Sequence, residues 1–251
     1  MSLKSLRGLL PIAVLLGIWQ LVGDPHSLTT PAPSAWWPAL KTVEENGVLW
    51  KALRISLEIY VVALAAAILI GVTLGIALGA SRRVTQALGP LLEFLRATPA
   101  AVLVPGAIIL LHANDRTAVI VIVYGSMWPI LLNTAAARAA LPPQRLDMAR
   151  SLDMSWWERM RKIVLPSLVP EIAVGIRVAA PICLVVTLLA DYLVGTQGLG
   201  YILVQTQQQF QAAEAFAMIA VIGVLGILIN VLLGSAERVV LRRWPRGAVA
   251  E

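Results

Sequence analysis

Six sustained apolar runs constrain this 251-residue chain more than any other feature. Because an α-helix rises about 1.5 Å per residue, roughly twenty apolar residues cross the hydrocarbon core of a bilayer. A helix is also the element that satisfies its own backbone hydrogen bonds in lipid. The sequence therefore predicts an all-α, polytopic membrane protein with a single transmembrane domain over residues 1–251. The predicted spans are residues 8–23, 55–80, 88–111, 117–140, 166–190 and 212–234.

The composition agrees with a membrane protein, since 59% of the residues are hydrophobic and only 14% are charged. The net charge of +6 could suggest a nucleic-acid-binding protein, but the basic residues lie between apolar runs rather than along exposed helices. Cys183 is the single cysteine and lies within an apolar run. The chain can therefore form no internal disulfide, and a thiolate metal cluster has no partners.

The first run resembles a secretory signal, because Lys4 and Arg7 precede a stretch that is short for a span. Its end gives a poor cleavage site. Leu21 and Gly23 do not form a small-x-small pattern, and Asp24-Pro25 follows directly. We therefore favour an uncleaved first span over a removed signal.

Basic residues divide unevenly between the two ends of the predicted spans. One side carries Lys4, Arg7, Arg82, Arg83, Arg138, Arg145, Arg150, Arg159, Arg161, Lys162, Arg238, Arg242, Arg243 and Arg246. The other side carries only Lys41, Lys51, Arg54 and Arg116. The positive-inside rule therefore predicts a multi-pass protein with both termini and residues 141–165 in the cytoplasm. On the outer side, we expect an interfacial helix within residues 24–54 and a re-entrant turn or short helix within residues 191–211.

Small residues recur every four positions in the second span, at Ala63, Ala67, Gly71, Gly75 and Gly79. This spacing lines one helix face with small side chains, so that another helix can approach closely. We assign Gly71, Gly75 and Gly79 to helix packing rather than to ligand binding. Prolines in the third and fifth spans predict kinks, because each removes a helix hydrogen bond. They are Pro99, Pro105, Pro170 and Pro181.

The loop at residues 141–165 is expected to be folded. Ser155 and Glu158 have the spacing of a capping box, which predicts a short helix starting at Ser155. Pro166 disfavours helical geometry in the residue before it, so we expect this helix to end near Ile163. It would expose Trp156, Trp157 and Met160 among basic residues. Those side chains could dock a partner protein or sit among lipid headgroups, and the residues alone leave both interpretations open.

The same loop resembles the EAA loop of binding-protein-dependent ABC importer permeases of type I. Asp147-Met148-Ala149 stands at the Glu-Ala-Ala triplet, Asp153 at the family's glycine, and Ile163-Val164-Leu165-Pro166 at the final Ile-x-Leu-Pro. The resemblance extends over roughly residues 53–243 and is closest to the nitrate, sulfonate and taurine branch. Asp191 before Gly198-Leu199-Gly200 supports it.

This resemblance implies a permease subunit of the bacterial inner membrane that couples its pathway, by alternating access, to separate ATPase subunits. The implied partners are two ATPases, a second copy of the chain and an extracytoplasmic binding protein. ATP and Mg²⁺ would bind the ATPase, with no cofactor on this chain, and the substrate would be a small anion such as a sulfonate. The implied coupling residues are Asp147, Ala149, Asp153, Ser155, Trp156, Trp157, Glu158, Arg159, Met160, Arg161, Leu165 and Pro166.

Enzymatic motifs are absent from the sequence, which contains no Gly-Lys-Ser/Thr phosphate loop, no His-Glu-x-x-His and no Gly-x-Ser-x-Gly. We therefore predict no catalytic and no metal-binding residues. Arg177 and Asp191 are candidates for the pathway, although Arg177 could instead pair with a carboxylate such as Glu93. A secondary transporter is the main alternative, and it would be expected to show paired repeats that we do not find. A purely structural membrane protein would leave the capping box unexplained.

Overall fold

The computed structural model describes residues 3–25, 27 and 29–243, and within them it contains helices and no strands. The predicted all-α fold is thus confirmed. A 3₁₀ turn at Pro33–Ala35 precedes the second helix. The α-helices are α1 (Leu3–Val22), α2 (Trp36–Glu45), α3 (Val48–Gly79), α4 (Arg82–Ala97), α5 (Ala100–Leu111), α6 (Asp115–Ala139), α7 (Pro143–Ser151), α8 (Trp156–Arg159), α9 (Leu165–Ala190), α10 (Leu199–Gln208) and α11 (Ala212–Arg243).

Four helical segments of the described chain are long and apolar enough to cross a membrane. They are Val48–Gly79, Asp115–Ala139, Trp156–Gly195 and Ala212–Arg242. The bent pair α4 and α5 can supply a fifth crossing, while the apolar part of α1 at Ala13–Val22 is shorter. The six-span topology therefore stays a prediction that is compatible with the helices.

The span predicted at residues 88–111 is two helices rather than one. α4 and α5 meet at 87°, with Thr98 and Pro99 in extended conformations between them. The pyrrolidine ring of Pro99 disfavours the helical conformation at Thr98, which is consistent with the break at this point. The Tyr124 hydroxyl on α6 donates a 2.5 Å hydrogen bond to the Leu95 carbonyl, which pins the end of α4.

The helix that starts at Trp156 does not end near Ile163, contrary to the sequence expectation. It continues through a π-turn at Met160–Val164 into α9 and a second π-turn at Asp191–Gly195, as one 40-residue segment. In the first π-turn the Leu165 N–H donates to the Met160 carbonyl, five residues earlier. Pro166, which has no N–H, therefore follows a turn that has already left the i→i−4 hydrogen-bond pattern of an α-helix. α9 also continues through Pro170 and Pro181. We call the segment Trp156–Gly195 the rod.

The core lies where α6 packs between α3 and α9. Small residues let these backbones approach, because Ala63 and Ala67 on α3 and Ala179 on α9 are fully buried. At Gly75, an added Cβ would lie only 2.7 Å from both the Leu131 carbonyl oxygen and the Thr134 Cβ on α6. The glycine therefore permits an approach that any side chain would obstruct.

A second layer covers the end of the bundle that carries α2 and α10. The Trp19, Trp36 and Phe216 rings form a cluster with centroids 5.0–5.8 Å apart, which joins α1, α2 and α11. α10 is the short helix expected within residues 191–211, and its buried Leu199 and Ile202 pack with α2, α3 and α11. This layer lies around one end of the rod, and the loop that precedes Trp156 lies at the other.

Candidate functional site: the folded loop before the rod

The start of the rod is fixed by the predicted capping box. The Glu158 N–H donates to the Ser155 hydroxyl at 3.3 Å, and the Ser155 N–H donates to the Glu158 carboxylate at 3.0 Å. Lys162, one turn later, donates to the other Glu158 oxygen at 3.0 Å. These bonds satisfy free N–H groups at the helix end, so the orientation of the first turn is set locally.

The turn between α7 and α8 is a Schellman motif centred on Asp153. Asp153 has a φ of +50°, its N–H donates to the Arg150 carbonyl at 3.0 Å, and the Met154 N–H donates to the Ala149 carbonyl at 3.1 Å. Glycine usually occupies this left-handed position because it has no Cβ, and aspartate is among the residues that tolerate it best. The turn between α7 and α8 thus forms with Asp153 at the glycine position of the EAA pattern.

Replacing Asp153 tests this turn. We expect Asp153→Gly to stabilise the loop by about 0.5–1 kcal/mol, because it relieves left-handed strain of about 1–2 kcal/mol at some entropic cost. Asp153→Val should destabilise it, since a β-branched residue resists a positive φ. Thermal unfolding of the purified protein measures both effects. Gln144→Gly, inside α7, is the control and should lower stability. A lower melting temperature for Asp153→Gly would contradict the assigned turn.

A small apolar cluster supports the loop from beneath. Leu141, Val164 and Leu168 are buried together, and Ala149 on α7 is fully buried. Met160 packs against this cluster, so the prediction that its side chain projects with the two tryptophans is wrong. The cluster includes Leu141, which precedes α7, and Leu168 on α9, so the local spacing around Met160 does not reveal this packing.

Four large apolar side chains cover the outside of the loop. Met148 is 57% exposed, Leu152 66%, Trp156 55% and Trp157 74%. The two indole rings pack edge to face with centroids 4.7 Å apart. We call these four residues the loop patch. Trp156 and Trp157 were predicted to be exposed, whereas Met148 and Leu152 were missed; the spacing of four residues between Met148 and Leu152 was the available signal.

Charged residues flank the loop patch along the sequence. Arg150 and Asp147 form an exposed pair at 2.9 Å, and Arg161 and Lys162 are exposed on the first turns of the rod. Exposed pairs of this kind contribute little to stability. An apolar centre within a charged rim is the usual anatomy of a protein interface. Leu165 and Pro166 are half-buried at the start of α9, and Arg159 is half-buried in the first turn of the rod.

Both pathway candidates lie away from the loop. The Arg177 guanidinium pairs with the Glu237 carboxylate on α11 at 2.8 Å, with side chains 56% and 11% exposed. Arg177 thus pairs with a carboxylate, as the sequence allowed, but the carboxylate is Glu237 on α11 rather than Glu93 on α4. Asp191 is fully buried near the far end of the rod and hydrogen-bonds Ser56 and Thr196. Sequence reasoning singled out neither Glu237 nor Ser56.

Metal binding finds no support within the described residues, where no group of three or more His, Cys, Asp or Glu side chains could hold an ion. The described residues instead form a folded loop with an apolar patch, joined to helices long and apolar enough to cross a membrane. Such an arrangement can bind a partner and transmit its movement.

Comparisons with known proteins place these features in a family. The family model described as "Binding-protein-dependent transport system inner membrane component" matches residues 67–245. The bicarbonate transport system permease protein CmpB of Synechococcus elongatus is 29% identical, over 93% of this chain and 90% of the relative. The nitrate import permease protein NrtB of Synechocystis sp. is 28% identical, over 96% and 90%. The taurine transport system permease protein TauC of Escherichia coli is 28% identical, over 90% and 86%.

Solved structures agree on the fold. A chain from inward-facing conformations of the MetNI methionine ABC transporter matches with a TM-score of 0.68. The match covers 78% of this chain and 98% of that chain, at 16% sequence identity. At this identity the likeness concerns the fold alone.

Proposed function

This chain belongs to the family of binding-protein-dependent transport system inner membrane components, as a type I ABC importer permease, and on that premise we propose that it imports a small anion together with separate ATPase subunits. Two copies of the chain would form the pathway, and an extracytoplasmic binding protein would deliver the substrate. ATP and Mg²⁺ would bind the ATPase subunits.

The loop patch is the observation that carries this proposal. Four large apolar side chains stay exposed on a loop whose shape is fixed by a capping box and a Schellman turn. Exposed apolar patches on ordered surfaces mark interaction sites, and aromatic side chains dominate the binding energy of many interfaces. We assign the patch to the ATPase, on the cytoplasmic side of the membrane.

The rod supplies the route from that contact to the pathway. Because the first turn after Ser155 is continuous with α9, a displacement of the loop patch moves a membrane-spanning helix directly. α9 packs against α6 and α11, so its movement would change the packing of the bundle. Alternating access would follow when ATP draws two ATPases, and with them two rods, together.

The substrate is proposed as an anion rather than specifically a sulfonate. The relatives carry the names of bicarbonate, nitrate and taurine transporters, and taurine bears a sulfonate group. Negative charge is the chemistry that these ligands share. Arg177 is our candidate for attracting it, since an arginine within a span faces either a partner or water rather than lipid.

The experiment that tests the proposed function is purification of the tagged chain from its native membrane in mild detergent, with mass spectrometry of the proteins that accompany it. We expect an ATPase subunit to be recovered. Recovery of the chain alone from several detergents would contradict the proposal and favour a secondary carrier. Uptake of labelled bicarbonate, nitrate and taurine, compared between cells with and without the chain, tests the anion class.

Arg177 and Glu237 allow the pathway role to be separated from a structural one. Arg177→Gln should leave Glu237 unpaired and destabilise the protein, whereas Arg177→Gln with Glu237→Gln should restore its thermal stability. If Arg177 serves the pathway, the double variant should still show anion uptake lowered by about tenfold, equivalent to a lost contact of about 1.4 kcal/mol. Wild-type uptake by the stable double variant would reduce the pair to a structural contact.

A further inference from the structure

Asp191 lies at the centre of a buried polar cluster at the far end of the rod. Its carboxylate accepts hydrogen bonds from the Ser56 hydroxyl at 2.5 Å, the Thr196 hydroxyl at 2.7 Å and the Gly200 N–H at 3.4 Å. Ser56 in turn accepts a 2.8 Å bond from the Leu199 N–H. The carboxylate is fully buried, so every interaction it makes is within the protein.

This cluster ties three separate elements together. Ser56 belongs to α3, Asp191 and Thr196 belong to or follow the second π-turn, and Leu199 and Gly200 are the first residues of α10. Gly198 makes the junction possible, since a Cβ there would overlap the Asp191 carboxylate and would lie 2.5 Å from the Ser56 hydroxyl. The polar contacts therefore fix where α10 starts relative to the rod.

The rod connects this cluster to the loop patch without interruption. Trp156 and Asp191 lie at opposite ends of one helical segment, about 50 Å apart at 1.5 Å per residue. Each end contains a π-turn, a distortion that is frequent at functional sites. A displacement at one end of such a segment reaches the other through backbone hydrogen bonds rather than through a chain of side chains.

We propose that Asp191 is a positioning residue: through Ser56 and the Gly200 N–H it latches α10 to the rod, so that movement imposed on the loop patch also moves α10. The inference rests on the proposed function, and it gives Asp191 a mechanical role in place of contact with the substrate. Hydrogen bonds suit a latch because they weaken steeply with distance and angle, which favours two discrete arrangements over gradual sliding. An apolar contact would tolerate slippage between the rod and α10.

The latch predicts that ATP binding changes the surroundings of α10. In a Cys183→Ser background, a spin label at position 207, an exposed site on α10, reports those surroundings by electron paramagnetic resonance. With the purified permease–ATPase complex, MgATP plus vanadate should alter the spectrum of the labelled wild type. Asp191→Asn and the milder Ser56→Ala should each weaken that response by about fivefold or more, while the ATPase stays bound and hydrolyses ATP.

A matched control exists for a merely structural effect. Thr206→Val removes a buried hydroxyl whose hydrogen bonds go to carbonyls of its own helix. It should leave the nucleotide response of the label unchanged. A wild-type response in Ser56→Ala and in any folded Asp191→Asn would overturn the latch while leaving the proposed function standing. A wild-type preparation without an ATPase would contradict the proposed function, and the latch with it.

Discussion

Replacing Trp156 and Trp157 together by alanine is expected to separate the permease from its ATPase while the permease itself stays folded. Both indoles are more than half exposed and contact each other edge to face, so we expect the fold to lose little when they are removed. Aromatic anchors at protein interfaces contribute about 2 kcal/mol or more each, and a loss of about 3 kcal/mol weakens binding roughly a hundredfold. Titration of the purified ATPase against the variant in nanodiscs measures this loss.

Two other tryptophans provide the control. Trp37 and Trp50 are 65% and 61% exposed, in α2 and near the start of α3, away from the loop patch. Their double replacement by alanine should leave ATPase affinity unchanged, which shows that the effect belongs to the site rather than to the loss of indoles. If the wild type and the double variant of Trp156 and Trp157 bind the ATPase with equal affinity, the loop patch is not part of the interface.

Gly75→Leu is expected to destabilise the transmembrane core strongly. The new side chain would collide with the backbone of α6, because a Cβ alone already comes within 2.7 Å of the Leu131 carbonyl oxygen. Overpacking commonly costs about 1–3 kcal/mol and more when backbone must move, so a loss of about 3 kcal/mol should lower the melting temperature by about 6–12 °C. Thermal unfolding in detergent measures this loss.

Gly89→Leu is the matched control, since Gly89 also lies in a helix but a Cβ added there would have no neighbouring atom within 4 Å. We expect its melting temperature to stay close to that of the wild type. A tolerated leucine at position 75, with unchanged melting temperature, would mean that α3 and α6 do not approach as closely as described.

Local signals in the sequence were reliable where neighbouring residues determine the geometry. The capping box needs only Ser155 and Glu158, three positions apart, and both of its hydrogen bonds form. The all-α architecture likewise follows from backbone hydrogen bonding in lipid, which every apolar run must satisfy. The small-residue face of α3 could be predicted because small residues recur every four positions, close to one helical turn.

Other features depend on contacts that no local pattern encodes. Pro166 predicted a helix end, yet the helix continues through it. A π-turn directly before Pro166 has already interrupted the i→i−4 hydrogen bonds to which its N–H would belong. Met160 packs against the cluster of Leu141, Val164 and Leu168, although its spacing placed it with the tryptophans. Arg177 finds its carboxylate sixty positions away at Glu237, and such a pairing follows from the packing of α9 and α11 rather than from spacing.

The measurement that most directly tests the coupling role of the loop is a photocrosslink from position 152 in the native membrane. A photoreactive amino acid in place of Leu152 would lie within the loop patch, and the same residue in place of Ile109, which is 80% exposed on α5, serves as the control. We predict that position 152 forms a covalent adduct with an ATPase subunit and that position 109 does not. Adducts from position 152 with lipid alone would show that the loop rests among headgroups, and would contradict its role in coupling.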